Sequence, residues 1–174
     1  ACGCTVVFYL RLALRATMKE RGLLAEPAPN MGRLLDLVAL ATVADVVPLD
    51  HNNRILVEQG LRRIRAGAAC AGIFALLQVA GREASRIVSA DFGFAVGPRL
   101  NAAGRLDDMS LGIECLLTDD PVRALNLART LDEMNRDRRT IEQGMQEEAL
   151  KFLSQFDEQQ ALPVGVCLYQ ADWH

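Results

Sequence analysis

Apolar residues return every three or four positions along most of this chain, a period that predicts helices rather than strands. Val7, Leu10, Leu14 and Met18 form one such stripe over Cys4–Arg21, which Gly22 in "ERGLL" ends. The Pro-rich linker "AEPAPN" closes on Asn30, an N-cap for a helix from Met31 to Val43. After Asp36 that helix is apolar nearly all round, so it should be buried on most sides. "ADVVPLDHNN" breaks the pattern, because Pro48 disfavours the helical conformation at Val47. Helix resumes from Asn53 to Arg65, and a short one from Ile73 to Ala80 precedes the polar turn "GREASR". Ser89 is placed as the cap of "SADFGFAV", although Phe92 lacks the acid of a full capping box. Ser110 caps a helix to Leu117, and "TDDP" supplies an acidic N-cap with Pro121 at the first helical position.

From Pro121 the stripe Leu125, Ala128, Leu131, Met134, Ile141, Met145, Ala149, Phe152, Phe156 runs without another proline. Gly144 alone interrupts it, at about 1 kcal/mol relative to Ala. Such a helix, some 35 residues and about 50 Å long, exceeds what one small domain needs and is expected to bridge two bodies. "LPVGVCLYQ" then alternates apolar and polar residues like a strand.

Composition narrows the function classes. With 51% hydrophobic and 24% charged residues in 174, the chain is globular, and its net charge of −3 advertises no global field for nucleic acid. A polyanion site must therefore be a local cleft. Cys2, Cys4, Cys70, Cys115 and Cys167 form no C-x-x-C pair and are odd in number, which points to reduced thiols and a cytoplasmic location. The uncharged run Leu37–Ala44 is too short to span a bilayer, so no membrane partner is expected. The start at Ala1 and the stop just after "ADW" point to an internal fragment.

Two places carry candidate chemistry. Asp45 ends an apolar helix, where the dipole opposes a carboxylate and burial would raise the cost of ionising it. It either meets a counter-charge, an arginine or a metal, or caps the Val46–Leu49 turn. The segment "GPRLNAAGR" offers the guanidinium forks of Arg99 and Arg105, the amide of Asn101, and Gly97 and Gly104, where backbone N–H groups can approach a ligand. These arginines face a phosphate, or they pair with Asp91, Asp107 or Asp108 to tie two helices together. On one continuous helix they would point about 120° apart, so both reach one ligand only if the helix ends near Gly104. His51 has the look of a solvent-facing helix start, and no Ser-His-Asp order, H-E-x-x-H or Walker loop is present.

"LLDLVALATVADVVPLDHNNRILVEQGLRRIRAG", "DFGFAVGPRLNAAGRLDD" and the terminal "ADWH" together resemble the RecJ branch of the DHH phosphoesterase family, over essentially the whole chain and in the family's order. The resemblance implies a metal-dependent 5′-to-3′ exonuclease on single-stranded DNA, active in DNA repair and recombination. It implies that Asp45 is a ligand of a Mn²⁺ or Mg²⁺ pair, two metals about 3.5–4 Å apart in such sites. It places Arg99, Asn101, Gly104 and Arg105 at the DNA cleft, and Trp173 and His174 in a motif of the DHHA1 domain. A single-strand-binding protein or a helicase are the partners it implies.

The fold class that follows is α/β: a two-domain DHH/DHHA1 parent, of which this piece is predominantly α-helical with one C-terminal strand. Residues 1–118 would be the C-terminal part of the DHH domain, 119–158 the long connecting helix, and 162–174 the first strand of DHHA1. The family's aspartate-rich and Asp-His-His motifs are absent here, so this piece alone is expected to be inactive. Two other readings stand beside this one: a DHH phosphoesterase on short oligonucleotides or cyclic dinucleotides, and a non-catalytic DHH-like DNA-binding scaffold.

Overall fold

Side chains that satisfy the first free N–H groups set where several of the helices begin. The computed structural model describes residues 2–25, 27–106, 109–154, 167–171 and 173. Helix α1 spans Gly3–Glu20, with the Cys2 thiol accepting from Thr5 N at 3.4 Å. Asn30 Oδ1 accepts from Gly32 N at 2.9 Å and opens a 3₁₀ turn, Met31–Leu34, which leads into α2, Leu35–Ala44. Asp50 Oδ1 accepts from Asn53 N at 2.8 Å, so α3 begins at His51, two residues before the expected start, and runs to Arg65. Helix α4 is Ala71–Val79.

The next helix is continuous but not uniform. A turn of α-helix, α5 (Ser89–Asp91), passes into a π-helical turn at Phe92–Val96 and then into α6, Gly97–Leu106. Ser89 is not the cap, because it already lies inside the helix; Asp91 Oδ2 reaches back to accept from Val88 N at 2.9 Å. Pro98 explains the π turn. Its missing N–H and its ring forbid a normal bond to the carbonyl four residues earlier, and the turn before it widens so that Gly97 N donates to Phe92 O. Helix α7 is Ser110–Leu117, and α8 is Pro121–Leu153, opened by Asp120 Oδ1 accepting from Val122 N at 2.9 Å.

These helices close around one main core built from Leu40 of α2, Leu61 and Ile64 of α3, Ile73 and Leu76 of α4, Phe92, Val96, and Leu131 of α8. α2 and α3 approach so closely at Gly60 that a Cβ there would stand 2.3 Å from Leu35 O, which only glycine avoids. A smaller cluster of Phe8, Met31 and Val38 seats α1 on α2, while Val7, Leu10 and Leu14 of α1 stay exposed. All five cysteines are unpaired thiols, and burial, with Cys70 nearby, pushes Cys115 up to about 11.

α8 has two halves. Ala124, Ala128, Leu131, Asp132 and Asn135 are buried, and from Arg136 onward none of its described residues is. Among the described residues there is no strand, so the expected C-terminal strand is not seen: Cys167–Gln170 carry no regular structure. The rest of that segment, 162–166 with Asp172 and His174, lies outside the described residues. A lone strand without a neighbour has no partner for its N–H and C=O groups. Trp173 is instead held against α8, its Nε1 donating to Glu148 Oε2 at 2.9 Å.

Candidate metal and nucleic-acid site

Helix α2 stops at Asp45 through a Schellman turn, with Val46 N donating to Val43 O at 3.1 Å and Val47 N to Thr42 O at 3.4 Å. This motif requires a left-handed residue just past the cap, normally glycine; here it is Val46, at φ 53°. A β-branched residue in that region costs about 1–3 kcal/mol, and such strain gathers at functional sites. Val46 is also 86% exposed.

The turn presents Asp45 to solvent, which corrects the expectation of a buried carboxylate: the chain leaves the core one residue after Ala44. Nor does Asp45 cap the following turn, since backbone bonds hold that turn and Asp50 caps α3. Among the described side chains none forms an ion pair or hydrogen bond with it. Its charge does reach the start of α1. Cys4 is raised first by burial, then by Cys2 and Asp45. Cys2 is lowered although burial raises it, because bonds from Thr5 and Thr42 outweigh burial and Asp45 together. The Cys2 thiol, 3.1 Å from Thr5 Oγ1, and the Thr5–Thr42 hydroxyl contact at 3.2 Å pin α1 under this end of α2. Among the described residues no group of three His, Cys, Asp or Glu converges, so they do not by themselves form a hard-cation site.

The arginine-bearing segment meets the same helix end. Gly97 packs beside Ala44, where a Cβ would make an ordinary contact of 3.5 Å, while within the widened π turn that Cβ would stand 2.9 Å from Phe92 O, which is the contact that calls for glycine. One turn earlier, Gly93 faces Val43. The tertiary fold thus brings together two motifs about fifty residues apart in the chain.

Arg99 does not face outward. Its Nε and Nη2 each donate to Asp132 Oδ1 at 2.8 Å, and its Nη1 to Ala95 O at 2.6 Å. Arg99 and Asp132 are 13% and 8% exposed, and Arg136 binds the other Asp132 oxygen at 2.6 Å. Arg99 is therefore the helix clamp of the second reading, with Asp132 of α8 as its partner in place of Asp91, Asp107 or Asp108. Of the partners expected, Asp91 pairs with Arg82 at 3.2 Å, and Asp107 and Asp108 lie outside the described residues. Asp132 had a signal: Ala128, Leu131, Asp132 and Asn135 are an i, i+3, i+4, i+7 set, and all four are buried.

Asn101 and Gly104 lie exposed on the solvent side of α6. α6 continues through Gly104 to Leu106, so the helix end near Gly104 that a shared ligand would need is not found. Arg105 belongs to α6, one turn beyond Asn101; its side chain, like all of His174, lies outside the described residues. On the π turn, Phe94 is 80% exposed. Two arginines of α3 are engaged within the chain: Arg62 pairs with Glu58 at 2.8 Å, and Arg65 donates to Ile87 O.

Relief of the Val46 strain gives a direct test of this turn. Val46→Gly is expected to raise stability by up to about 1 kcal/mol, strain relief outweighing glycine's chain entropy. Urea denaturation measures it, and a clear loss of stability would mean the turn is held differently.

No protein-family model matches the chain. Curated relatives do: it is 57% identical over 176 residues to the single-stranded-DNA-specific exonuclease RecJ of Dickeya dadantii and 53% identical to that of Escherichia coli, with 99% of the chain aligned in each. It spans 31% and 30% of those two proteins. A crystal structure of RecJ from Thermus thermophilus in complex with Mg²⁺ superposes on 78% of the chain with a TM-score of 0.65 at 36% identity. A structure of exonuclease RecJ bound to manganese covers 83% with a TM-score of 0.66, again at 36% identity, and the chain covers 34% of it. By sequence over nearly all its length and by fold over most of it, this chain belongs to the RecJ family, matching an internal part of those proteins.

Proposed function

We propose that this chain is part of a metal-dependent 5′-to-3′ exonuclease on single-stranded DNA, a cytoplasmic enzyme, to which it contributes one metal ligand and part of the strand-binding face. The observation that carries the reading is Asp45: a solvent-facing carboxylate at a dipole-opposed helix end, fixed by a strained turn and unpaired among the described side chains. A hard divalent cation, Mn²⁺ or Mg²⁺, suits such an oxygen donor. A pair of them, completed by residues outside this chain, would supply an activated water and neutralise charge on the phosphodiester. Residues 1–118 belong on this reading to the catalytic domain, 119–158 connect it to the next domain, and 162–174 begin that domain with Trp173 and His174.

This chain's own residues then divide the work. The start of α6 at Gly97 lies against Ala44 at the Asp45 end of α2, and Arg99, through Asp132, is a positioning residue that holds α6 on α8. Asn101 offers an amide to a phosphate backbone on the exposed side of α6, Gly104 adds no side chain there, and Arg105 is proposed to supply a guanidinium to the same strand. Phe94 presents on the same continuous helix a ring on which a base can stack, the sequence-tolerant contact that single-strand binding normally uses.

The test is hydrolysis by the full-length protein. Mononucleotides should be released from the 5′ end of single strands with Mn²⁺ or Mg²⁺, duplex should resist, and EDTA should abolish the reaction. Endonucleolytic products or equal duplex cleavage would sink the reading. The two arginines should also separate. Arg105→Ala should lower single-strand affinity evenly across sequences and flatten its log–log salt slope by roughly 0.7. Arg99→Ala should lower stability and leave the salt slope per folded molecule unchanged. Salt titrations with melting curves on both variants distinguish these outcomes, and a flattened slope for Arg99→Ala alone would reverse the assignment.

A further inference from the structure

We propose that a second site, at the end of α2 away from Asp45, binds a small phosphate-bearing anion of nucleotide size. A cavity of about 740 Å³ lies there, within the roughly 300–1,000 Å³ typical of small-molecule pockets. Three arginines line it from three separate elements: Arg33 from the 3₁₀ turn before α2, Arg63 from α3 and Arg129 from α8. None of the three is ion-paired with a described carboxylate, whereas Arg62, Arg99, Arg123, Arg136 and Arg138 all are. Other arginines of α3 and α8, such as Arg54 and Arg139, also lack an ion pair among the described residues, but these three converge on one cavity from three elements.

Arg63 adds a more specific sign. Its Nη2 donates to Ala68 O at 2.6 Å, but its Nε–H is buried and has no acceptor among the described residues. Buried donors are ordinarily satisfied, and one left over in a cavity wall calls for an acceptor from outside the chain. The carboxylates at hand do not supply it. Asp36 is buried and already engaged, accepting from Leu37 N at 2.8 Å and Cys70 N at 2.9 Å. Asp119, the other acid of the lining, is exposed.

The chemistry selects the class of ligand. Guanidinium forks arriving from several directions match the oxygens of a phosphate, which accepts on more than one edge. Leu37, Phe74 and Leu125 provide apolar wall beside them, room for an uncharged body attached to the phosphate. Asp36 and Asp45 are nine residues apart, about 13 Å along α2, so this cavity is distinct from the proposed metal site. The inference stands on the cavity and does not depend on the nuclease reading.

Isothermal titration of the full-length protein with pyrophosphate and with dAMP, in EDTA to keep metals out of the Asp45 site, tests it. The wild type should bind at one site and melt at a higher temperature with the probe. Arg63→Gln and Arg129→Gln should each weaken binding at least tenfold and lose that shift. Arg63 also anchors Ala68, so Arg129→Gln, at an exposed position on another helix, keeps the test valid if Arg63→Gln folds poorly. No binding by the wild type, or equal affinity in Arg129→Gln, would overturn the proposal. Tighter binding of an acidic peptide such as polyglutamate than of either probe would overturn it too, in favour of a protein partner.

Discussion

Alanine at Asp45 is expected to reduce single-strand hydrolysis by the full-length protein at least about 100-fold, with no loss of stability. The rate effect follows from the proposal that Asp45 is a direct metal ligand, when even groups that merely support such ligands are worth about 10- to 100-fold. The stability half of the expectation comes from the fold. Asp45 is exposed, no described side chain pairs with it, and the α2 dipole opposes its charge by about 0.3–1 kcal/mol. Its removal should therefore leave the melting temperature unchanged or slightly raised. Rates with Mn²⁺ and melting curves on one preparation check both halves. A rate near wild type would remove Asp45 from the metal site, and a matched fall in stability and activity would make it a structural residue.

Alanine at Asp132 should do the reverse, costing about 3–5 kcal/mol of stability through the stranded Arg99 guanidinium. Against a typical total of about 5–15 kcal/mol, that loss would bring the protein close to unfolding. The size follows from burial. Arg99 and Asp132 are almost out of water, and the other Asp132 oxygen is held by Arg136. Removing one partner leaves a charge uncompensated, whereas removing both leaves none, so Arg99→Met with Asp132→Leu should recover most of the loss. Urea denaturation of the two single variants and the double variant gives the coupling directly. A cost below about 1 kcal/mol for Asp132→Ala would show that the pair behaves like an exposed surface bridge.

How far each feature could be read from the sequence depended on the distance over which it is encoded. Helices and their starts lie within a few residues, as with Asn30 accepting from Gly32 N and Asp120 from Val122 N, and the three-to-four-residue period marked the helical segments of the chain. Ser89 is not the cap because the helix starts one residue earlier, with Val88 at the cap position and Asp91 Oδ2 accepting from Val88 N. Asp45 and the arginine segment were recognisable as motifs, and the relatives identify the family; Asp45's role as a metal ligand remains the proposal tested above.

Exposure, pairing and proximity were not local. That Asp45 projects into water, that Gly97 lies against Ala44, and that Arg99 turns inward to Asp132 thirty-three residues away all depend on which helices pack and at what rotation. A strand could not be secured from "LPVGVCLYQ" alone, since its hydrogen bonds belong to a neighbour. Short-range hydrogen bonds and side-chain period make helices legible from residues close in the chain. The site exists only once burial of the shared apolar core has set α2, α6 and α8 against one another.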